Sequence, residues 1–207
     1  MTTRDRRGHG AALALLAALL PAISAAQDAV PSERAIVYPP SGELRILSGL
    51  TLSPEAQDAF DQQFRANTYF SAFAYAKNGG WGYATTGNSL EGARAVAIAE
   101  CENANDDCIL IAEIVPRGYR DPQPGDVTMT PAVYTYLFDP DAAGAPEGAP
   151  RAFAVGPDGA YALVWGQPSQ EAANRAALAD CNGYVRTEPP GLPPLPCVLV
   201  PGLPGTN

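Results

Sequence analysis

The chain has 207 residues, 46% of them hydrophobic, with 13 Lys and Arg against 22 Asp and Glu and a formal net charge of −9. That composition belongs to a globular protein. Its acidity excludes a nucleic-acid grip, because phosphates call for clustered Lys and Arg.

Arg4, Arg6 and Arg7 precede an apolar run from Ala11 to Ile23, and Ser24-Ala25-Ala26 follows as a small-residue exit. A basic start, a short apolar core and small residues at the cleavage point make residues 1–26 a secretory signal peptide. The run is well short of the ~20 residues that span a bilayer, and Pro21 breaks it. The expected location is therefore periplasmic or secreted, with no membrane insertion after cleavage. Cleavage removes His9, the only histidine, and more basic than acidic side chains, so the mature chain is more acidic still.

Residues 27–49 hold two short apolar stretches, Arg34–Tyr38 and Glu43–Leu47, around Pro39-Pro40-Ser41-Gly42. They are expected to form an N-terminal hairpin. Residues 50–126 then read as one unit and residues 127–207 as a second with a Pro-rich C-terminal loop. At a constant offset, Ala72-Phe73-Ala74 matches Ala152-Phe153-Ala154, Gly79 matches Gly159, Ser89 matches Ser169, and Glu91 matches Glu171. Ala93, Ala97, Ala99 and Cys101 match Ala173, Ala177, Ala179 and Cys181. Internal repetition is the first thing to read in such a chain.

Each unit has the same local signals. Ser53-Pro54 and Thr130-Pro131 are N-cap and N1 pairs. Ala56, Phe60 and Phe64 then make one apolar stripe of a helix to about Ala66, and Val133 and Leu137 do so in the shorter second copy. Asn78-Gly79 and Asp158-Gly159 are hairpin turns, with return strands Trp81–Thr86 and Tyr161–Trp165. Ser89 and Ser169 cap a second helix, with Glu91 and Glu171 at its positive end. Closing strands run over Ile109–Val115 and Val198–Val200. The expected class is α+β: two tandem β-β-α-β repeats forming antiparallel sheet with packed helices.

Cys101, Cys108, Cys181 and Cys197 are an even set in an exported chain and read as disulfides. Pairing within each unit, Cys101–Cys108 and Cys181–Cys197, staples helix end to strand start; cross-unit pairing is the alternative. Zinc-ligand spacing is absent, so no metal is expected.

The segments AFAY…NGGWGYA…NSLEGARAVAIAEC…C and Ser169-Gln-Glu-Ala…Ala177-Leu-Ala-Asp-Cys181 resemble a small domain family of unknown function in secreted bacterial proteins, here in two tandem copies. The arrangement with the Leu-Thr-Leu-Ser-Pro helix also resembles proteobacterial proteins that carry an aminolevulinate synthase label. The resemblance implies a fold and no catalytic residue. The label itself fails a physical test. Pyridoxal-phosphate chemistry needs a Schiff-base lysine in a phosphate-binding fold, and Lys77, the only lysine, precedes a hairpin turn.

No cofactor is expected. The mature chain has no histidine for Ser-His or Cys-His catalysis, and no phosphate loop or dinucleotide fingerprint is present. Glu100, Glu102, Asp106 and Asp107 form an acidic cluster, and Asp139 and Asp141 a smaller one; both read as solvated loops. Trp81 and Tyr83 share one face of their strand, and Tyr161 and Trp165 share one face of theirs. They are core aromatics or an exposed strip for a protein or cell-envelope glycan partner. Arg117 and Arg120 flank Tyr119 as candidate anion contacts. The expected function is an exported non-catalytic binding or structural module of the cell envelope. The alternative is a carboxylate-dependent envelope hydrolase. Oligomeric state is left open.

Overall fold

The computed structural model describes residues 34–138 and 148–200. The signal segment, residues 27–33, Asp139, Asp141 and the tail from 201 lie outside the described residues.

In chain order come strands Arg34–Val37 (β1) and Gly42–Ile46 (β2), then helix Pro54–Ala59 (α1), which widens into a π-helical turn at Phe60–Phe64. Strands Phe70–Tyr75 (β3) and Trp81–Gly87 (β4) lead to helix Leu90–Glu102 (α2) and strand Ile109–Pro116 (β5). Strand Asp126–Met129 (β6) and helix Pro131–Phe138 (α3) follow. Strands Arg151–Val155 (β7) and Tyr161–Trp165 (β8), helix Gln170–Asn182 (α4) and strand Val198–Leu199 (β9) complete the chain. The fold is α+β, with antiparallel sheets, packed helices and two disulfides.

The strands make a four-stranded sheet in the order β2-β5-β3-β4 and a three-stranded sheet in the order β8-β7-β9. Both are antiparallel. The third pairing, β1 with β6, is parallel.

That pairing corrects the expected N-terminal hairpin. β1 and β2 do not pair with each other: β1 lies on β6, and β2 lies on β5 with Leu44 opposite Ile114. The Pro39-Pro40 step between them has no N–H to close a tight turn. Tyr38 is instead buried beside Phe70 and Tyr119. Arg34 then pairs with Asp126 on β6 at 3.1 Å.

Serines start the helices as their sequence contexts require. Ser53 Oγ accepts from Ala56 N, Ser89 Oγ from Gly92 N, and Ser169 Oγ from Ala172 N. Thr130 Oγ1 accepts from Val133 N at the head of α3. The helix expected to reach about Ala66 changes pitch at Phe60, where Arg65 N donates to Phe60 O. With that wider turn, Phe60 and Phe64 both reach Phe73, at 5.3 and 5.4 Å between ring centroids.

Small side chains set how closely α2 and α4 lie on their sheets. Ala93, Ala97 and Cys101 of α2 pack on Ala72, Ala74 and Ala84. Ala173, Ala177 and Cys181 of α4 pack on Ala152, Ala154 and Ala162. Disulfides Cys101–Cys108 and Cys181–Cys197 tie each helix end to the strand that follows. The opposite sheet faces carry an aromatic cluster around Phe73 and a mostly aliphatic one around Phe153.

The two sheets meet at the start of α2. Asn88 is 1% exposed, and all its polar groups are used. Its Nδ2 donates to Gly156 O and Ala160 O, and its Oδ1 accepts from Thr130 N. Its main-chain N–H donates to Pro157 O and its carbonyl accepts from Thr128 Oγ1. Gly92 belongs to this contact: a Cβ there would stand 2.4 Å from Pro157 O. The glycine that interrupts the helix pattern thus makes room for the β7–β8 turn. On the other side of α2, Leu192 and Leu195 of the Pro-rich segment pack against the first core, the one that holds Ala97 and Cys101.

Candidate functional site

The four hairpin aromatics occupy two different environments. Trp81 and Tyr83 lie on the outer strand β4, partly buried and stacked with Phe73. Their ring centroids are 6.0 and 6.2 Å from Phe73, and 5.8 Å apart. Tyr83 Oη donates to Gln63 Oε1 at 2.5 Å. Both rings belong to the cluster under α1 and its π-turn. They serve packing first, and a partner reaches only their rims.

Tyr161 and Trp165 lie on the outer strand β8, on the same face as Phe153 and Val155, and are 39% and 38% exposed. Tyr161 contacts Phe153 at 6.2 Å and Tyr136 of α3 at 5.4 Å. Tyr136 is itself 38% exposed. A half-open aromatic rim therefore runs from α3 onto β8. Tyr136 was missed in the sequence because a helix with Val133 on its inner face gives no sign that the next turn reaches a neighbouring strand.

Arg117 and Arg120 are both exposed and stand apart from these rings. Arg117 N donates to Ser41 O, and Arg120 O accepts from Tyr38 Oη. Their role in the fold is carried by backbone. Tyr119 between them packs on Phe70 at 5.3 Å. Burial raises its phenol to about 12, and a hydrogen bond to Asp121 pushes the same way.

A charged cluster not singled out in the sequence sits nearby. Glu113 of β5 has a side chain only 3% exposed and meets Arg94 Nε at 3.0 Å. Arg45 Nη1 lies 3.7 Å from the other carboxylate oxygen, and its guanidinium stands 5.7 Å over the Tyr119 ring. The only sequence signal was a lone Glu within an apolar strand, Ile-Leu-Ile-Ala-Glu-Ile-Val. A buried carboxylate needs partners, and two arginines supply them. The arrangement fixes α2 and β2 on β5; both arginines keep part of their surface in water.

The acidic residues between Cys101 and Cys108 do not converge. Glu102, Asp106 and Asp107 are exposed, while Glu100 pairs with Arg186 at 3.5 Å. That pair edges an open groove of about 580 Å³ which also touches Asn103 and Pro189. Lys77 is exposed at its turn. Among the described residues, no three or more His, Cys, Asp and Glu side chains gather as a metal site. Among them, too, no helix is long and apolar enough to cross a membrane. No family model, curated protein or solved structure matches this chain.

Proposed function

We propose that this protein is an exported, non-catalytic binding module of the bacterial cell envelope, and that Tyr136, Tyr161 and Trp165 form its ligand face. The observation that carries the reading is their exposure, 38–39% each, beside a core able to cover such rings, as the first sheet does with Trp81 and Tyr83. Large rings with an apolar face and a polar tip suit a ligand that is itself half apolar. A glycan strand, with C–H faces and hydroxyl edges, fits that description. Two disulfides support an oxidising compartment, and an N-terminal signal peptide is the route there. The two strand-strand-helix-strand sections are copies of one unit in this reading, of the family type that their Ser-Xaa-Glu helices and cysteines resemble.

The test is capture of the oxidised protein on purified peptidoglycan. Removing a stacked ring from a binding centre costs about 2 kcal/mol, so Tyr161→Ala/Trp165→Ala should bind more than tenfold less. A folded Trp81→Ala control should bind like the parent. Equal binding by all three proteins, or by none, would overturn the assignment of the face.

A further inference from the structure

We propose that the free edge of β8 pairs with β8 of a second copy, antiparallel and about a two-fold axis at Leu163. The inference goes beyond the glycan reading, because pairing uses the backbone edge while the rings stay on the sheet face.

The direction of the backbone groups follows from the hairpin. Gly156 N donates to Ala160 O at 2.7 Å, and Phe153 O accepts from Val200 N on the other side of β7. Bonded and non-bonded pairs alternate along an antiparallel ladder. Ala162 and Val164 therefore bond to β7 across from Ala154 and Ala152. Tyr161, Leu163 and Trp165 point their N–H and C=O groups away from it. Among the described residues β8 pairs with β7 alone.

Exposed strand edges invite pairing, and proteins blunt them with charge, proline, glycine or irregular backbone. The other outer strands here carry such devices. β2 bears Glu43 and Arg45. β4 contains Gly82 and Gly87, shifts register against β3, and has Thr86 at φ 59°. β9 spans only Val198–Leu199, just after the Pro-rich segment. β1 and β6 carry the Arg34–Asp126 pair. β8 alone reads Tyr-Ala-Leu-Val-Trp, with no charge, glycine or proline.

The strand is also complementary to itself. Read from either end it runs aromatic, small, Leu, small, aromatic. With the axis at Leu163, Tyr161 faces the other copy's Trp165, and Ala162 faces the other copy's Val164. Aromatic cross-strand pairs stabilise a sheet. In a chain of net charge −9, this strand carries no charged side chain, so two copies meet along it without like charges directly opposed. Pairing would join the two three-stranded sheets into one and set the rings of both copies in a single row.

The test uses the purified oxidised protein in sedimentation over a concentration series. A single-strand interface is small, so a dissociation constant on the order of tens of micromolar is expected. Tyr161→Lys/Trp165→Lys opposes lysines across the axis and should weaken dimerisation on the order of a hundredfold. Tyr161→Lys/Trp165→Glu opposes opposite charges in the same register and should recover most of that loss. Amide exchange on the parent needs no variant: protection at Tyr161, Leu163 and Trp165 should rise with concentration, while that at Ala162 and Val164 stays constant. A parent monomeric at all concentrations would sink the proposal. So would a dimer that the double-lysine variant leaves intact, a Lys/Glu variant as weak as Lys/Lys, or amide protection that ignores concentration. Peptidoglycan capture by a protein that stays monomeric would sink the pairing and leave the glycan face standing.

Discussion

Two sections with the same strand-strand-helix-strand order treat their aromatic rings differently. In the first, the turn after α1 brings Phe60 and Phe64 over Phe73, and Trp81 and Tyr83 stack down beside it. β2 covers the outer edge of β5. In the second, Val133 of α3 is buried over Phe153, but Tyr136, Tyr161 and Trp165 stay half exposed, and no described strand covers the outer edge of β9. The alanine-lined helix and its disulfide to the closing strand are alike in both. What decides whether a hairpin aromatic is packing or surface is the element that precedes the hairpin, not the hairpin's own sequence.

The sharpest way to break the comparison is to remove the residue that joins the two halves. Asn88→Ala would orphan Thr130 N and take one hydrogen bond from each of Gly156 O and Ala160 O, which keep Gly159 N and Gly156 N as donors. One buried unsatisfied donor costs about 1–3 kcal/mol and each further lost bond about 0.5–1.5 kcal/mol, so the loss should be about 3 kcal/mol, read from urea unfolding. The equivalent position in the second section is Pro168, which lies exposed, so Pro168→Ala should change stability by less than about 0.5 kcal/mol. A similar loss at both positions would show that Asn88 is not the joint.

Next in size are the disulfides. Their sequence separations are 7 and 16. On the loop-entropy model, replacing the Cys181–Cys197 pair by Ser should cost about 3 kcal/mol, and the Cys101–Cys108 pair about 2 kcal/mol. Chemical denaturation of both double variants would test that order. The reverse order would mean that the segment holding Leu192 and Leu195 keeps the second loop closed without its bridge.

Alkali should act mainly through the core that Tyr69 closes. Its hydroxyl donates to Met129 O and accepts from Tyr38 N, linking β3 to the β1–β6 pair. Burial raises its phenol to about 12, whereas the unfolded chain ionises near 10. A raised acid favours the folded state while neutral. Stability is therefore whole below about pH 10 and falls as pH rises toward about 12, by about 2 kcal/mol. Tyr119, raised to about 12 but reached by water, adds in the same direction. Tyr69→Phe should start about 1 kcal/mol weaker and show a flatter decline over that range in denaturation midpoints.

Much of the local fold was legible because single residues dictate it. Ser89 and Ser169 cap helices, Gly79 and Gly159 turn with positive φ, and alanine spacing sets the helix-to-sheet contact. The cysteine pairing was legible because each section holds two. Partnerships over distance were not. Nothing in Arg34–Val37 names β6 as its neighbour, so a proline-rich gap read as a hairpin. Nothing around Gly92 in its helix names Pro157, far along the chain, as the neighbour it makes room for. Glu113 looked like one charge in an apolar strand, since its arginines come from β2 and α2. The exposure of the hairpin rings was open for the same reason: it depends on what precedes them.

The smallest expected effect bears on that last point most directly. Truncating a fully buried large aromatic costs about 3–5 kcal/mol, and a ring that is only partly covered costs correspondingly less. Trp81 is partly buried and stacked on both Phe73 and Tyr83, so Trp81→Ala should cost about 2 kcal/mol. Trp165 keeps 38% of its surface in water, so Trp165→Ala should cost about 1 kcal/mol or less in the monomer. Measured in dilute protein, below the concentration at which β8 edges would pair, the two losses separate packing from surface. Equal losses would mean that Trp165 is held as firmly as Trp81 and that the rim on β8 is core at the edge of a sheet. A small loss at Trp165 that grows with protein concentration would mean that the ring is held by a second chain.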